Sequence, residues 1–190
     1  MSTAKPNPSK SSPPSPAPAG APAQAKAPAT HEQAGLGPEH AELAKCIGSW
    51  DVAFTYWPKE GAPPVSSSGR SLFTPIFNGR YIREDYTGEF MGKPFSGIGT
   101  LGFDRAAGYY VSTWIDNVGT GIMHATAMPG PITDDLTFEG LGIDQETQEE
   151  QSVRHVLHWE SDTCFHLSFF KGEEDDEVQT MELVYNRRSS

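Results

Sequence analysis

The fold this sequence predicts is all-β: a single antiparallel up-and-down barrel of about ten strands, opened by one short capping helix. Three observations predict it. From Gly48 almost to the C-terminus the chain passes through about ten runs of strand-forming residues, and no second long helical pattern interrupts them. Turn chemistry built from Gly, Pro, Asn and Asp separates the runs. The connections are short, so each strand must lie antiparallel to the one before it. A barrel of about ten strands is wider than the eight-stranded size that side chains nearly fill, so an internal cavity is expected.

The first segment, residues 1–36, cannot build a core. Met1 to Gly35 hold eight of the sixteen prolines, interleaved with Ala and Ser, and contain no aromatic or branched aliphatic residue. That composition favours a disordered, solvated, partly polyproline II tail. The barrel domain is expected over 37–190. Its helix runs from Pro38, suited to the first helical position, to Ile47, with Glu39 and Glu42 in the positive first turn and Gly48 as the stop. A helix of about ten residues is too short to stand alone, and a cap over one barrel mouth is its natural place.

The strands follow in order. Trp50, Val52, Phe54 and Tyr56 alternate with Asp51, Ala53 and Thr55 in a half-buried first strand. Later strands are expected at 66–77, 80–90, 94–104, 109–116, 120–128, 135–143, 152–160, 164–171 and 178–186. Asn78-Gly79, Met91 to Pro94, Asp104 to Gly108, Asp116 to Gly119 and Pro129-Gly130-Pro131 mark turns between them. Alternation is clean again at the end, where Phe165, Leu167 and Phe169, then Met181, Leu183 and Tyr185, form one apolar face. The middle strands are mixed. Ile82, Glu84 and Tyr86 oppose Tyr81, Arg83 and Asp85, and Ile122 and His124 oppose Met123 and Ala125, so polar groups are expected to face inward at some of these positions.

Gly48-Ser49-Trp50 directly after a short helix resembles the G-x-W opening of lipocalin-like (calycin) barrels, with Arg187 or Arg188 as the arginine that stacks on the tryptophan. Gly92 to Asp104 (GKPFSGIGTLGFD) and Tyr109 to Thr120 (YYVSTWIDNVGT) resemble an uncharacterised bacterial domain-of-unknown-function family of the same barrel type. The resemblance covers Pro38 to about Arg187. It implies a fold and a pocket, and brings no established activity or catalytic residue.

Charge excludes some functions. The tail carries Lys5, Lys10 and Lys26 against Glu32, a net +2, so the total of −11 leaves −13 on the domain. No cluster of Lys and Arg offers a nucleic-acid backbone its counter-charge, and no nucleic-acid partner is expected. The tail lacks the apolar centre of a secretory signal, and no window reaches the roughly 18 apolar residues that span a bilayer, so a soluble cytoplasmic protein is expected. Cys46 and Cys164 are read as free thiols.

Motifs narrow the chemistry further. Gly97 to Gly102 matches G-x-G-x-x-G, but a turn into another strand follows where a dinucleotide site needs a helix, so these glycines read as points of close backbone approach. His155 and His158, three apart on a strand, face opposite sides and cannot chelate one ion; His166 lies on the next strand, opposite in face to Phe165 and Leu167. The acidic run Glu173 to Glu177 lacks the alternating spacing of a calcium loop. Asp134-Asp135 is a turn pair, and there is no nucleophile elbow. No catalytic set, metal site or cofactor is expected.

The leading reading is therefore a non-enzymatic carrier or sensor for a small, mostly apolar ligand in the lumen. Its lining candidates are Glu84, Tyr86, Trp114, Met123, His124 and His155, with Trp114 as a stacking wall and Glu84 or His124 as polar anchor. Trp114 shares a face with Tyr110 and Ser112, while Tyr109, Val111 and Ile115 make the opposite face as apolar, so its direction stays open. Three other readings remain. An enzyme acting on an apolar substrate would need Glu84 or His124 desolvated in the cavity. A haem-binding barrel would use His124 or His155 as single proximal ligand, although the histidine signature of the haem-binding relatives of this fold is absent. The Pro-rich tail would alternatively dock on a partner protein.

Overall fold

The computed structural model describes residues 35–59, 61–129, 135–143, 150–172 and 177–189. The tail up to residue 34, Gly130 to Asp134 and positions 173–176 of the acidic run lie outside the described residues. Helix α1 spans Pro38–Ala44, and ten strands follow: β1 (Gly48–Tyr56), β2 (Val65–Ile76), β3 (Tyr81–Phe90), β4 (Lys93–Asp104), β5 (Tyr109–Asp116), β6 (Met123–Ala127), β7 (Asp135–Ile143), β8 (Glu150–Ser161), β9 (Cys164–Lys171) and β10 (Val178–Arg187). Each strand pairs with its sequence neighbours, and β1 pairs antiparallel with β10, from Trp50 opposite Arg187 to Tyr56 opposite Met181, which closes the barrel. Every described strand thus has a paired neighbour on both sides, the shortest pairing being the three residues between β6 and β7.

Alternation along the strands sorts side chains between lumen and solvent. Trp50, Val52, Phe54, Phe73, Ile82, Tyr86, Tyr110, Phe138, Leu157, Phe165 and Tyr185 are buried on the inner face. Several strand ends move by one or two residues, and two boundaries move by three, each for a local reason. The helix ends at Ala44 rather than Ile47 because the amides of Lys45, Cys46 and Ile47 donate to carbonyls three residues back, a tighter winding that terminates the α-helix. Strand β6 starts at Met123 rather than residue 120 because the Asp116 carboxylate accepts from the amides of Val118 and Gly119 at 2.8 and 2.9 Å, drawing the chain into a longer turn. No helix among the described residues is long and apolar enough to cross a membrane.

The helix end of the barrel is stoppered by the G-x-W unit. The Trp50 indole donates to the Cys46 carbonyl at 2.8 Å and is fully buried. The Arg187 guanidinium lies 4.1 Å above that ring, so Arg187 rather than Arg188 is the stacking arginine. It donates to the carbonyls of Ile47 (2.8 Å), Lys45 (2.6 Å) and Asp162 (3.0 Å), tying the helix exit to the β8–β9 turn. Gly48 is required here. Its φ is +134°, and a Cβ would sit 2.8 Å from the Arg187 guanidinium.

Candidate functional site

Above that stopper lies a cavity of about 1000 Å³ whose lining reaches Trp57, Val118 and Val178 at the end opposite the helix. Every strand feeds it, because the inward positions of an up-and-down barrel converge on one lumen. The walls are largely aromatic, with Phe54, Phe73, Tyr86, Phe95, Trp114 and Phe165 among the lining residues. These rings hold one another in edge-to-face and offset contacts: Tyr86 meets Phe95 at 5.7 Å and Trp114 at 6.3 Å between centroids, and Phe95 stacks on Trp114 at 6.4 Å.

Three carboxyl groups, of Glu84, Glu89 and Asp116, are set into this surface, and one of them is buried. Glu84, on β3, is buried and lines the cavity. Its Oε1 accepts from the hydroxyls of Ser71 on β2 and Tyr185 on β10, the latter at 3.0 Å. Both donors fall on one oxygen, so the other, Oε2, is the natural contact for a molecule in the lumen. Room beside it comes from β4, where a Cβ on Gly99 would lie 3.3 Å from Oε2. Burial pushes the Glu84 carboxyl up to about 7, against the opposing pull of the two hydroxyl hydrogen bonds. Near neutral pH this group therefore exists both as acid, able to donate, and as carboxylate, able to accept. The Tyr185 phenol is held well above its ordinary range, by burial first and then by Glu84, so it remains a donor.

His155, on β8, is the second buried titratable group of the wall. Its ring is sandwiched between Phe138 (4.8 Å) and Phe169 (5.2 Å), and its Nδ1 is buried without a hydrogen-bond partner. Burial pushes its pKa down to about 4, so the imidazole is neutral at physiological pH. Trp114 has its direction settled: it lines the lumen, and its indole N–H donates to Asp116 at 3.0 Å. Gly97 makes that pose feasible, since a Cβ there would be 2.1 Å from the indole. The glycines of the G-x-G-x-x-G string thus sit within strand β4.

Of the six residues singled out in the sequence, Glu84, Tyr86, Trp114, Met123 and His155 line the cavity together. His124 does not. It is exposed on β6, whose inner positions are Met123, Ala125 and Ala127; Ile122, placed on the same face as His124 by alternation, is 73 % exposed. The alternation at 122–126 carried no contrast, because apolar residues occupy both faces. Ser71 and Tyr185, the partners of Glu84, were missed as site residues. Tyr185 was legible as an inward residue, but its contact with Glu84 spans 101 positions in sequence and arises only when β10 closes on β1.

The chain belongs to the DUF1579 family, described as a protein of unknown function, whose family pattern matches residues 36–187. No protein with a curated description matches it. Among solved structures it is similar to Rv2717c from M. tuberculosis, at 14% identity and a TM-score of 0.61, covering 82% of this chain and 100% of that one. That likeness shows the barrel fold. A looser match is EF1p2_mFAP2b bound to DFHBI, at 12% identity and a TM-score of 0.44, covering 78% of this chain and 98% of that one.

Proposed function

We propose that the barrel is a carrier or sensor for one small, mainly apolar molecule that bears a single hydrogen-bonding group. The observation that carries this reading is the buried Glu84 carboxyl set into an aromatic cavity of about 1000 Å³, a volume at the upper end of the roughly 300–1000 Å³ of small-molecule sites. The aromatic walls supply non-directional affinity and Glu84 supplies orientation. Tyr86 and Trp114 form the stacking wall, Met123 adapts its shape to the guest, and His155 contributes a neutral ring edge. A neutral guest fits best, because an anion would face a carboxyl group and a cation would have to be stripped of water among aromatic residues.

Native mass spectrometry of the full chain after incubation with a lipid and metabolite extract tests this. One added mass per chain, between about 150 and 500 Da by the volume available, is expected, together with its loss or weakening in Trp114→Ala. Only the bare chain mass, in every extract fraction, would remove the proposal.

A second reading has one observation in its favour. A buried carboxyl whose pKa lies near 7 in a largely apolar cavity is suited to general acid or base work on an apolar substrate. Chemical analysis of the recovered guest separates the two: a molecule returned unchanged supports carriage, and a converted one that Glu84→Gln leaves unconverted supports catalysis. The haem alternative loses His124, which is exposed outside the lumen, and rests on His155 alone.

A further inference from the structure

We propose that the β8–β9 hairpin carries, on the outer face of the barrel, a binding site for one divalent transition-metal ion of the zinc class, held by Cys164 Sγ, His166 Nε2 and Glu160 Oε2. The three donor atoms already lie close together: Sγ to Oε2 is 3.2 Å, Nε2 to Oε2 is 3.1 Å, and Sγ to Nε2 is 3.9 Å. Around a tetrahedral zinc ion with a Zn–S bond of about 2.3 Å and Zn–N and Zn–O bonds of about 2.0 Å, the edges between such donors run about 3.3–3.6 Å. Each observed separation is within a few tenths of an ångström of the matching edge. Binding thus requires a small adjustment of side chains that are already convergent.

Two features of the fold produce this convergence. Cys164 and His166 are two apart on β9 and share its outer face, so both point the same way. Glu160 comes from the facing strand at a register shift: Trp159 pairs with Phe165 and Ser161 with Cys164, which leaves Glu160 as the extra residue of a bulge. Bulges re-aim side chains, and this one brings the Glu160 carboxylate to both β9 donors.

A further contact points to a ligand role for His166. Its other ring nitrogen, Nδ1, lies 3.5 Å from Glu182 Oε1 on β10. A carboxylate on the far nitrogen is the arrangement that fixes the tautomer and raises the basicity of a metal-bound histidine. The donor set, one thiolate sulfur, one imidazole and one carboxylate, suits a borderline-soft ion such as Zn(II) or Co(II) and disfavours Mg(II) and Ca(II). The thiol proton passes to solvent as the metal–sulfur bond forms. Glu160 is largely exposed, so the fourth position opens to water.

The test is titration of the reduced, untagged full chain with Co(II), followed by displacement with Zn(II). One equivalent of Co(II) should produce a thiolate-to-cobalt charge-transfer band in the near ultraviolet, which Zn(II) abolishes. Cys164→Ser should remove the band, and Glu160→Gln and His166→Gln should each weaken zinc binding by at least about tenfold. Glu182→Gln should weaken it by about tenfold while keeping the band. His124→Gln, a surface histidine outside the cluster, should change nothing. All five positions lie on the outer face, and far-ultraviolet circular dichroism of each variant checks that the barrel persists. No charge-transfer band, or zinc binding unchanged in Cys164→Ser, would overturn the proposal.

Discussion

Glu84 and His155 are both buried against the same cavity, on strands five apart round the barrel, and burial moves them in opposite directions, the carboxyl up to about 7 and the imidazole down to about 4. Glu84 ionises near 4.5 when the chain is unfolded but near 7 when folded, so its contribution is intact below about 4.5 and is lost as pH rises through 7. His155 protonates near 6.5 unfolded but near 4 folded, so its contribution is intact above about 6.5 and is lost as pH falls through 4. Each is worth up to about 3 kcal/mol. Their windows overlap and the slopes cancel, which leaves the pair silent in the wild-type chain. We predict that Glu84→Gln, which keeps an acceptor for Ser71 and Tyr185, gives a stability that rises with pH from about 4.5 to 6.5. His155→Phe should give a stability that falls over the same range. Urea midpoints at several pH values measure both, and slopes parallel to wild type in the two variants would show that neither group is held as described. Glu84 was legible in the sequence as a polar residue on the face of Ile82 and Tyr86; the hydroxyls that orient it were not, because they come from β2 and β10.

At the scale of elements, ten strands and their order followed from strand-period alternation and turn residues, and only ends shifted, most by one or two residues and furthest at Ala44 and Met123, where side-chain and tightened-turn hydrogen bonds compete with the regular ladder. Faces were harder to read where both sides of a strand are apolar. Strand β5 could not be oriented from its own sequence, since Tyr110, Ser112 and Trp114 match Tyr109, Val111 and Ile115 in character. Its neighbour β4 holds the missing information: Gly97 and Gly99 pair with Asp116 and Trp114, and the absent side chains leave the hollow in which the indole lies. Valine at position 97 should therefore displace Trp114, break its bond to Asp116 and cost about 1–3 kcal/mol through overpacking. Chemical denaturation together with tryptophan emission checks this, and a variant with wild-type stability and an unshifted emission maximum would contradict the packing of β5 on β4.

The whole molecule is a closed barrel stoppered at the helix end by Trp50 and Arg187 and hollow above them, with one buried carboxyl, that of Glu84, in a largely aromatic lumen. The width came from strand number, which the sequence shows; the chemistry of the lumen depends on which residues meet across strands far apart in the chain, which it does not. The central claim is that this lumen accepts an apolar guest with one hydrogen-bonding group. The four tryptophans report on it separately, because Trp114 and Trp57 line the cavity while Trp50 and Trp159 pack at the stopper. The most direct measurement is the set of indole N–H resonances in a two-dimensional proton–nitrogen NMR titration with n-decanol, an apolar chain with one hydroxyl. Saturable shifts at Trp114 and Trp57, with Trp50 and Trp159 unmoved, are the predicted result. Shifts confined to the stopper tryptophans, or no saturable shift at any indole, would contradict the account.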